Sequence, residues 1–171
     1  MTTHIAILKA EDSRRYDKTL EDLLKSPNEQ IRIRAALAAG RIGNEAAIPA
    51  LTGLLQKDQT VGGRAMAAFA LGEVESAKAA DVILEEIDQW IRGLTHRRTT
   101  AGENFVVARL VEAAGKIAGA NANDSKSKDL GLAIVIALQS ESEKKAVPVS
   151  EMIHLGLTAL LRARPAGADE T

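Results

Sequence analysis

The sequence predicts an all-α fold, a solenoid of about nine helices in about four to five pairs. The first observation is an internal repeat, because the tract at residues 36–43 returns in similar form at residues 68–75 and again at residues 111–118. The central glycines of these tracts lie 32 and then 43 residues apart, a period typical of helical repeats. The second is composition: the apolar residues are mostly Ala, Leu, Ile and Val, and only 2% of the chain is aromatic. Small aliphatic side chains suit closely packed helices, and no stretch shows the alternation of a strand.

The first predicted unit, residues 1–26, is a pair of short helices that caps the solenoid. We expect its first helix over residues 3–15, with Ile5, Leu8 and Tyr16 on the buried side. A leucine-rich second helix follows and ends before a proline. Charged residues on the first helix give the polar outer surface that a solenoid end needs.

Three repeats follow, at residues 27–57, 60–91 and 100–140. Each repeat begins with an inner helix, which is apolar on several sides because it packs between neighbouring helices. In the first repeat we expect this helix over residues 29–42. An outer helix with a single apolar stripe comes next. Small residues let the axes of the inner helices approach closely, and each repeat has one glycine at an equivalent structural position: Gly40, Gly72 and Gly115.

The third repeat is set apart by additional residues in the segment 90–104. Thr100 and Glu103 have the spacing of a capping box, in which each side chain accepts a hydrogen bond from the backbone of the other residue. We therefore expect the inner helix of the third repeat to start just after Thr100.

A last helix, predicted over residues 148–164, has no partner helix after it in this sequence. Its outward face is therefore uncovered, and we expect the chain to be able to associate with itself through this C-terminal end. Residues 166–171 form a tail with no predicted structure, and residues 1–165 are predicted to be one solenoid domain.

The repeats resemble the HEAT-repeat superfamily, in particular the phycobilisome-lyase HEAT-like repeats. That type has an arginine early in the first helix, an alanine-rich run ending in glycine, and a second helix with an Ala-Ile-Pro-Ala-Leu sequence. Arg32 and Arg64 match the arginine position, and residues 46–51 match the second helix. The resemblance weakens in the third repeat, where Val107 replaces the arginine. It implies a right-handed α-α superhelix and says little about function.

Two flanking segments, residues 7–15 and 156–167, resemble a bacterial group of HEAT-repeat proteins. In that group the solenoid precedes a cyclophilin-type peptidyl-prolyl isomerase domain, to which no segment of this sequence is similar. The resemblance implies that the chain is the N-terminal part of a longer protein.

Composition narrows the classes of function. The net charge of −1 disfavours binding to nucleic acid. The absence of cysteine excludes disulfides, thiolate nucleophiles and Cys-ligated zinc. No apolar run approaches the ~20 residues that span a membrane. Residues 1–10 lack the features of a signal peptide, so we take the cytoplasm as the default compartment, and an exported parent protein fits equally well.

Metal and catalytic signatures are weak. The three histidines, His4, His96 and His154, fall in different repeats, and the sequence has none of the His-Glu dipeptides that build the di-iron site of a HEAT-type hydroxylase. Glu151 and His154 have the spacing of a helical metal pair, but no second pair accompanies them. No Ser-His-Asp arrangement, phosphate loop or dinucleotide glycine motif is present. We expect no metal, no cofactor and no catalytic residue.

The segment after the second repeat combines a tryptophan with basic residues, a composition typical of binding hot spots. In the other interpretation the tryptophan fills space below a longer loop and the basic residues are merely solvated. The candidate partner-binding residues are Trp90, Arg92, His96, Arg97 and Arg98.

Arg32 and Arg64 fall at equivalent positions and would lie along one edge of the solenoid. We expect them to pair with acids or with helix C-terminal carbonyls of the adjacent repeat, and ligand binding is the alternative.

The function that we predict is a non-catalytic protein–protein interaction scaffold, with a protein or peptide bound on the concave face of the solenoid. The resemblance implies a more specific function, in which the scaffold is the docking region of a bacterial peptidyl-prolyl isomerase. An alternative is a chromophore helper similar to the bilin lyases, and a HEAT-like nucleic-acid binder ranks below it.

Overall fold

The computed structural model describes residues 3–93, 101–142 and 150–163. These residues contain nine α-helices and no β-strand, so the predicted all-α fold is confirmed. Short turns join the helices within each pair. The helices are α1 (Thr3–Asp12), α2 (Lys18–Leu23), α3 (Glu29–Ile42), α4 (Ile48–Lys57), α5 (Val61–Val74), α6 (Ala80–Ile91), α7 (Ala101–Ala120), α8 (Ser125–Ser142) and α9 (Ser150–Ala163).

Local capping sets where the inner helices begin and end. The side chain of Asn28 accepts a hydrogen bond from the backbone N–H of Gln30 at 2.9 Å, and this bond begins α3. The hydroxyl of Thr60 accepts from the N–H of Gly63 at 3.1 Å and begins α5. Gly43 ends α3 with a φ of 71°, the left-handed conformation that glycine adopts without strain. The predicted helix at residues 29–42 therefore agrees with α3.

The helices form two layers with the apolar core between them. The inner layer contains α3, α5, α7 and α9, which pack directly on one another, and α1 packs on α3. The outer layer contains α2, α4, α6 and α8; of these, α6 packs on α8, whereas α4 makes only sparse contact with α2 and α6. Because the inner helices are spaced more closely than the outer ones, the inner layer forms the concave side of the stack.

Close spacing in the inner layer comes from one glycine in each of three helices. Each glycine lies against an alanine of the next inner helix, so closely that an added Cβ would lie 2.5–2.8 Å from the alanine Cα. That distance is well below the roughly 3.5–4.0 Å of an ordinary contact between carbon atoms, so only glycine fits. The contacts are Gly40 with Ala70, Gly72 with Ala113, and Gly115 with Ala159.

Two details of the N-terminal cap differ from the prediction. The first helix ends at Asp12, three residues before the predicted end. Its buried apolar residue is Ile7, only 1% exposed, whereas Ile5 and Leu8 are 43% and 55% exposed, so the prediction is wrong for these two residues. The reason is that α1 packs on its neighbours along one narrow face, and its sequence has too little amphipathic contrast to indicate which face that is. Tyr16 is partly buried against the core, as predicted.

Candidate functional site

Two arginines connect successive repeats along one edge of the solenoid. Arg32 donates from Nε to the carboxylate of Asp58 at 2.6 Å and from Nη1 to the backbone carbonyl of Ser26 at 2.9 Å. Arg64 makes the equivalent contacts one repeat later, donating from Nη1 to the carbonyl of Asp58 at 2.9 Å and from Nη2 to Glu103. Each guanidinium thus contacts the loop before its own helix and an acid near the start of the next inner helix. Arg32 and Arg64 therefore make their contacts with groups of the same chain.

Asp58 is the residue that both arginines contact. Burial raises the pKa of its carboxyl group, but hydrogen bonds from Arg32 and from the backbone N–H and hydroxyl of Thr60 outweigh this effect and lower the pKa to about 2. Both Thr60 bonds measure 2.8 Å. Asp58 is therefore ionised at neutral pH and orders the start of α5.

The structure describes only two of the five candidate partner-binding residues, Trp90 and Arg92, and one of these two is buried. Trp90 is 2% exposed, so its indole packs in the core. It borders a small cavity together with Leu55 and Leu110. Arg92 is at the surface and pairs with Asp88, with 2.8 Å between Nε and the carboxylate. His96, Arg97 and Arg98 lie outside the described residues, as does the Thr100 side of the capping box.

A groove of about 350 Å³ opens on the solvent side of the inner layer. Each of three consecutive inner helices contributes side chains to it, and those side chains are mostly apolar and, apart from the buried Ala65, partly exposed. Residues four apart on a helix lie on the same face, so each helix contributes two residues with this spacing to the groove. The principal pairs are Ile33 and Leu37 on α3, Ala65 and Phe69 on α5, and Phe105 and Arg109 on α7.

Two cations lie over the aromatic rings of this groove. The guanidinium carbon of Arg109 is 5.1 Å from the centre of the Phe105 ring and 5.9 Å from that of Phe69. The Lys116 ammonium is 4.2 Å from the centre of the Phe69 ring. At these distances the rings attract the cations electrostatically. Phenylalanine rings beside arginine and lysine therefore form one end of the groove.

Carboxylates hold the two cations in place. Arg109 donates to Glu112 at 2.7 Å and to Glu151 at 3.2 Å. Lys116 pairs with Glu73 at 2.6 Å and with Glu112 at 2.7 Å. Burial raises the pKa of Glu112, but the bonds from Lys116 and Arg109 outweigh it, so the pKa is lowered and this carboxylate is charged at neutral pH. The charged end of the groove is thus held in place by ion pairs within the chain.

Reasoning from sequence alone missed this groove. Phe69 falls in the predicted second repeat, but an inner helix is apolar on several sides, so the pattern does not show which side remains open. The available indication was that Phe69 and Phe105, two of the few aromatic residues, fall on successive inner helices, with Arg109 four residues after the second.

A larger cleft, of about 710 Å³, separates α2 from α4 in the outer layer. Leu24, Leu54 and Gly53 line it, and an added Cβ on Gly53 would meet no atom within 4 Å. The Tyr16 hydroxyl is buried beside it without a hydrogen-bond partner, and burial, with the Glu21 charge as a smaller cause, raises the pKa of Tyr16 to about 12. The cleft exists because α2 and α4 make only sparse contact with each other.

Within the described ranges, no three His, Asp or Glu side chains cluster in a way that could hold a metal ion. Glu151, half of the i,i+3 pair, contacts Arg109, and His154 is exposed. Among the helices that the structure describes, none is both long enough and apolar enough to cross a membrane.

Comparison with known families gives a match over the N-terminal part of the chain. The family model for HEAT repeats matches residues 5–72, which run from α1 into α5. This match supports the resemblance to the HEAT-repeat superfamily, and with the packed helix pairs described above it identifies the fold as an all-α HEAT-like solenoid. No curated protein matches the chain.

Proposed function

We propose that this chain, whose residues 5–72 match HEAT repeats, is a non-catalytic scaffold that binds a protein or peptide in the inner-layer groove. Proteins with HEAT repeats generally serve as protein-interaction scaffolds, because stacked repeats build an extended surface. The observation that carries the proposal is the groove itself, with two partly exposed phenylalanines beside an ordered arginine.

The chemistry of the groove indicates which partner it would take. Its floor is apolar, formed by Leu37, Met66 and Phe69, so it fits an aliphatic or aromatic side chain of the partner. Arg109 lies at one end with its guanidinium held by Glu112 and Glu151, so little rotamer entropy remains to be lost on binding. Aromatic residues and arginine in a partly enclosed pocket are the residue types that dominate binding energy at interfaces.

The proposal is tested by selecting binders from a displayed peptide library on the full chain and measuring their affinity by fluorescence polarisation. Phe105→Ser should weaken the selected peptides at least about tenfold, because it removes a ring from the groove. Leu132→Ser on α8 is the matched control, since Leu132 is 59% exposed and lies outside the groove. Equal affinities for the Phe105 variant and the unmodified chain would refute the groove as the binding site.

A more specific proposal rests on the resemblance of residues 7–15 and 156–167 to the bacterial isomerase group. In this version the solenoid is the docking region that presents substrates to a cyclophilin-type isomerase domain in the same polypeptide. The mass of the endogenous protein tests it. A mass larger than 18.2 kDa by a further domain is expected, and an endogenous protein of 18.2 kDa would contradict the proposal.

A further inference from the structure

One charged side chain beside the inner-layer groove differs from its neighbours. Glu29 is the first residue of α3 and is partly exposed. Its carboxylate makes no hydrogen bond or ion pair with any residue that the structure describes. All the other charged side chains of the three groove helices form ion pairs within the chain. They are Arg32, Arg34 and Arg41 in α3, Arg64 and Glu73 in α5, and Glu103, Arg109, Glu112 and Lys116 in α7.

The Glu29 carboxylate lies against the floor of the groove at Gly62. A Cβ built on Gly62 would stand 2.8 Å from Oε1 of Glu29 and 2.9 Å from Cδ1 of Ile33, so both side chains rest on this glycine. Gly62 and Ile33 themselves line the groove. Because Gly62 has no side chain, the carboxylate can come close to the apolar floor. The groove therefore has an acid without an ion pair at the end where α3 and α5 begin.

The arginine nearest in the sequence does not neutralise this acid. Arg32 is close enough for the charge of Glu29 to act on it. Its guanidinium, however, donates from Nε and Nη2 to the carboxylate of Asp58 at 2.6 and 2.9 Å. Arg32 and Asp58 cancel each other's charge, so the negative charge of Glu29 remains available to a partner.

The cations at the other end of the groove do not offer an equivalent site to an acidic partner. Arg109 donates to Glu112 and Glu151, and Lys116 pairs with Glu73 and Glu112. The Lys116 side chain is also only 10% exposed. A carboxylate brought to either cation would approach the acids that already hold it, and like charges at such short distances repel.

The surroundings of Glu29 suit a basic side chain. Lysine and arginine have an apolar stem below a charged head, and they bury the stem on apolar surface while the head stays at the rim. Ile33 and Met66 provide apolar surface beside Gly62, and Glu29 provides the negative charge at its edge. A basic side chain that is aligned along the groove can therefore contact both.

We propose that the peptide segment bound in the groove has a lysine or arginine next to its apolar anchor and that Glu29 binds this cation. The anchor occupies the floor at Leu37 and Phe69, and the basic side chain lies along Ile33 and donates to the Glu29 carboxylate. The partner thus supplies the ion pair that the chain itself gives to the other charged residues of these helices. This inference rests on the proposed function, because only a segment bound in the groove brings a cation to Glu29.

Peptides selected from a displayed random library on the full chain are the probe. We expect those that depend on Phe105 to be enriched in lysine or arginine beside an apolar residue. Glu29→Gln should weaken these peptides about threefold to tenfold, because it removes a charge-assisted bond at a partly exposed site. It should also reduce the salt dependence of the affinity. Glu85→Gln is the matched control, since Glu85 is exposed on α6 in the outer layer, and it should leave the affinity unchanged.

A double-mutant cycle tests whether the two charges meet. In one variant of a selected peptide the basic residue is replaced by norleucine, which keeps an apolar stem and removes the charge. Against this peptide Glu29→Gln should cause no further loss of affinity, because the pair is already broken. Losses that simply add would overturn the contact between Glu29 and the basic residue.

Reversing the charge gives a second test that does not depend on a loss of binding. Selection of the same library on Glu29→Lys should enrich aspartate or glutamate in place of the basic residue, and circular dichroism would verify that the variant is folded. Unchanged enrichment of basic residues on Glu29→Lys would overturn the proposal.

The outcomes separate this inference from the proposed function. Selected peptides that lose affinity for Phe105→Ser, but bind Glu29→Gln as tightly as the unmodified chain, would overturn the role of Glu29 and leave the groove as the binding site. If no selected peptide depended on Phe105, the proposed function would fail, and the present inference would fail with it.

Discussion

Replacing Gly72 by alanine tests the contact that sets the spacing of the inner layer. The added Cβ would lie 2.7 Å from the Cα of Ala113 and 2.9 Å from its Cβ. Ordinary carbon contacts are about 3.5–4.0 Å, so α5 and α7 must separate by about 1 Å. Because backbone blocks the methyl group, no side-chain rotation relieves the overlap. Insertions of this kind cost about 1–3 kcal/mol.

A second substitution separates this cost from the intrinsic helix preference of alanine. Gly53 lies in the middle of α4, and a Cβ there would meet no atom within 4 Å. Both substitutions gain the roughly 1 kcal/mol by which alanine exceeds glycine in a helix. We therefore expect Gly53→Ala to raise the free energy of unfolding. The free energy of unfolding of Gly72→Ala should be about 1–3 kcal/mol lower than that of Gly53→Ala.

Urea denaturation followed by circular dichroism measures both free energies of unfolding. A difference of 1 kcal/mol would correspond to a shift of about 2–4 °C in the melting temperature of a chain of this size. Gly72→Leu should enlarge the loss, because it places a whole side chain in the same contact. If Gly72→Ala stabilised the protein as much as Gly53→Ala does, the close approach of α5 to α7 would be refuted.

Two further predictions concern the arginine edge. The pKa of Asp58 is lowered in the folded state to about 2, so the carboxylate stabilises the fold above about pH 4, by about 2 kcal/mol, and this stability is lost as the pH falls toward 2. In Asp58→Asn the free energy of unfolding, followed by urea titration at each pH, should fall less over that window; an unchanged pH dependence would contradict the pairing. Arg64→Met should cost about 3–5 kcal/mol, because the Arg64 and Glu103 side chains are only 6% and 12% exposed. Arg92→Met, whose ion pair is exposed, should cost at most about 1 kcal/mol in the same assay, and equal losses would argue against a buried pair.

The architecture could be predicted because its determinants are local in the sequence. Asn28 and Thr60 begin helices through bonds to residues two and three positions away, and Gly43 ends one through its own backbone conformation. The glycine positions were also visible, since a repeated alanine-rich tract surrounds each of them. The buried side of α1 was not predictable, because Ile5, Leu8 and Ile7 are equally apolar and only contact with α3 distinguishes them.

The candidate site could not be predicted, because its residues come from three helices whose relative placement the pattern leaves open. Phe69 and Phe105 are far apart in the sequence, and their distance to Arg109 depends on how closely α5 and α7 pack. Trp90, a candidate partner-binding residue from the sequence, is buried in the structure. A tryptophan beside basic residues is typical of a surface hot spot, yet the indole is 2% exposed, because α6 turns it toward the core.

The sequence by itself determined the all-α class, the repeat period and the bounds of α3, because hydrogen bonds and spacings within a few residues control these features. Only the tertiary structure decided which apolar surfaces stay exposed. The groove at Phe69 and the exposed leucines of α9, Leu157 and Leu161, have the same kinds of side chain as the buried faces beside them. Whether such a face is covered depends on the helix that packs against it, and that neighbour lies tens of residues away along the chain.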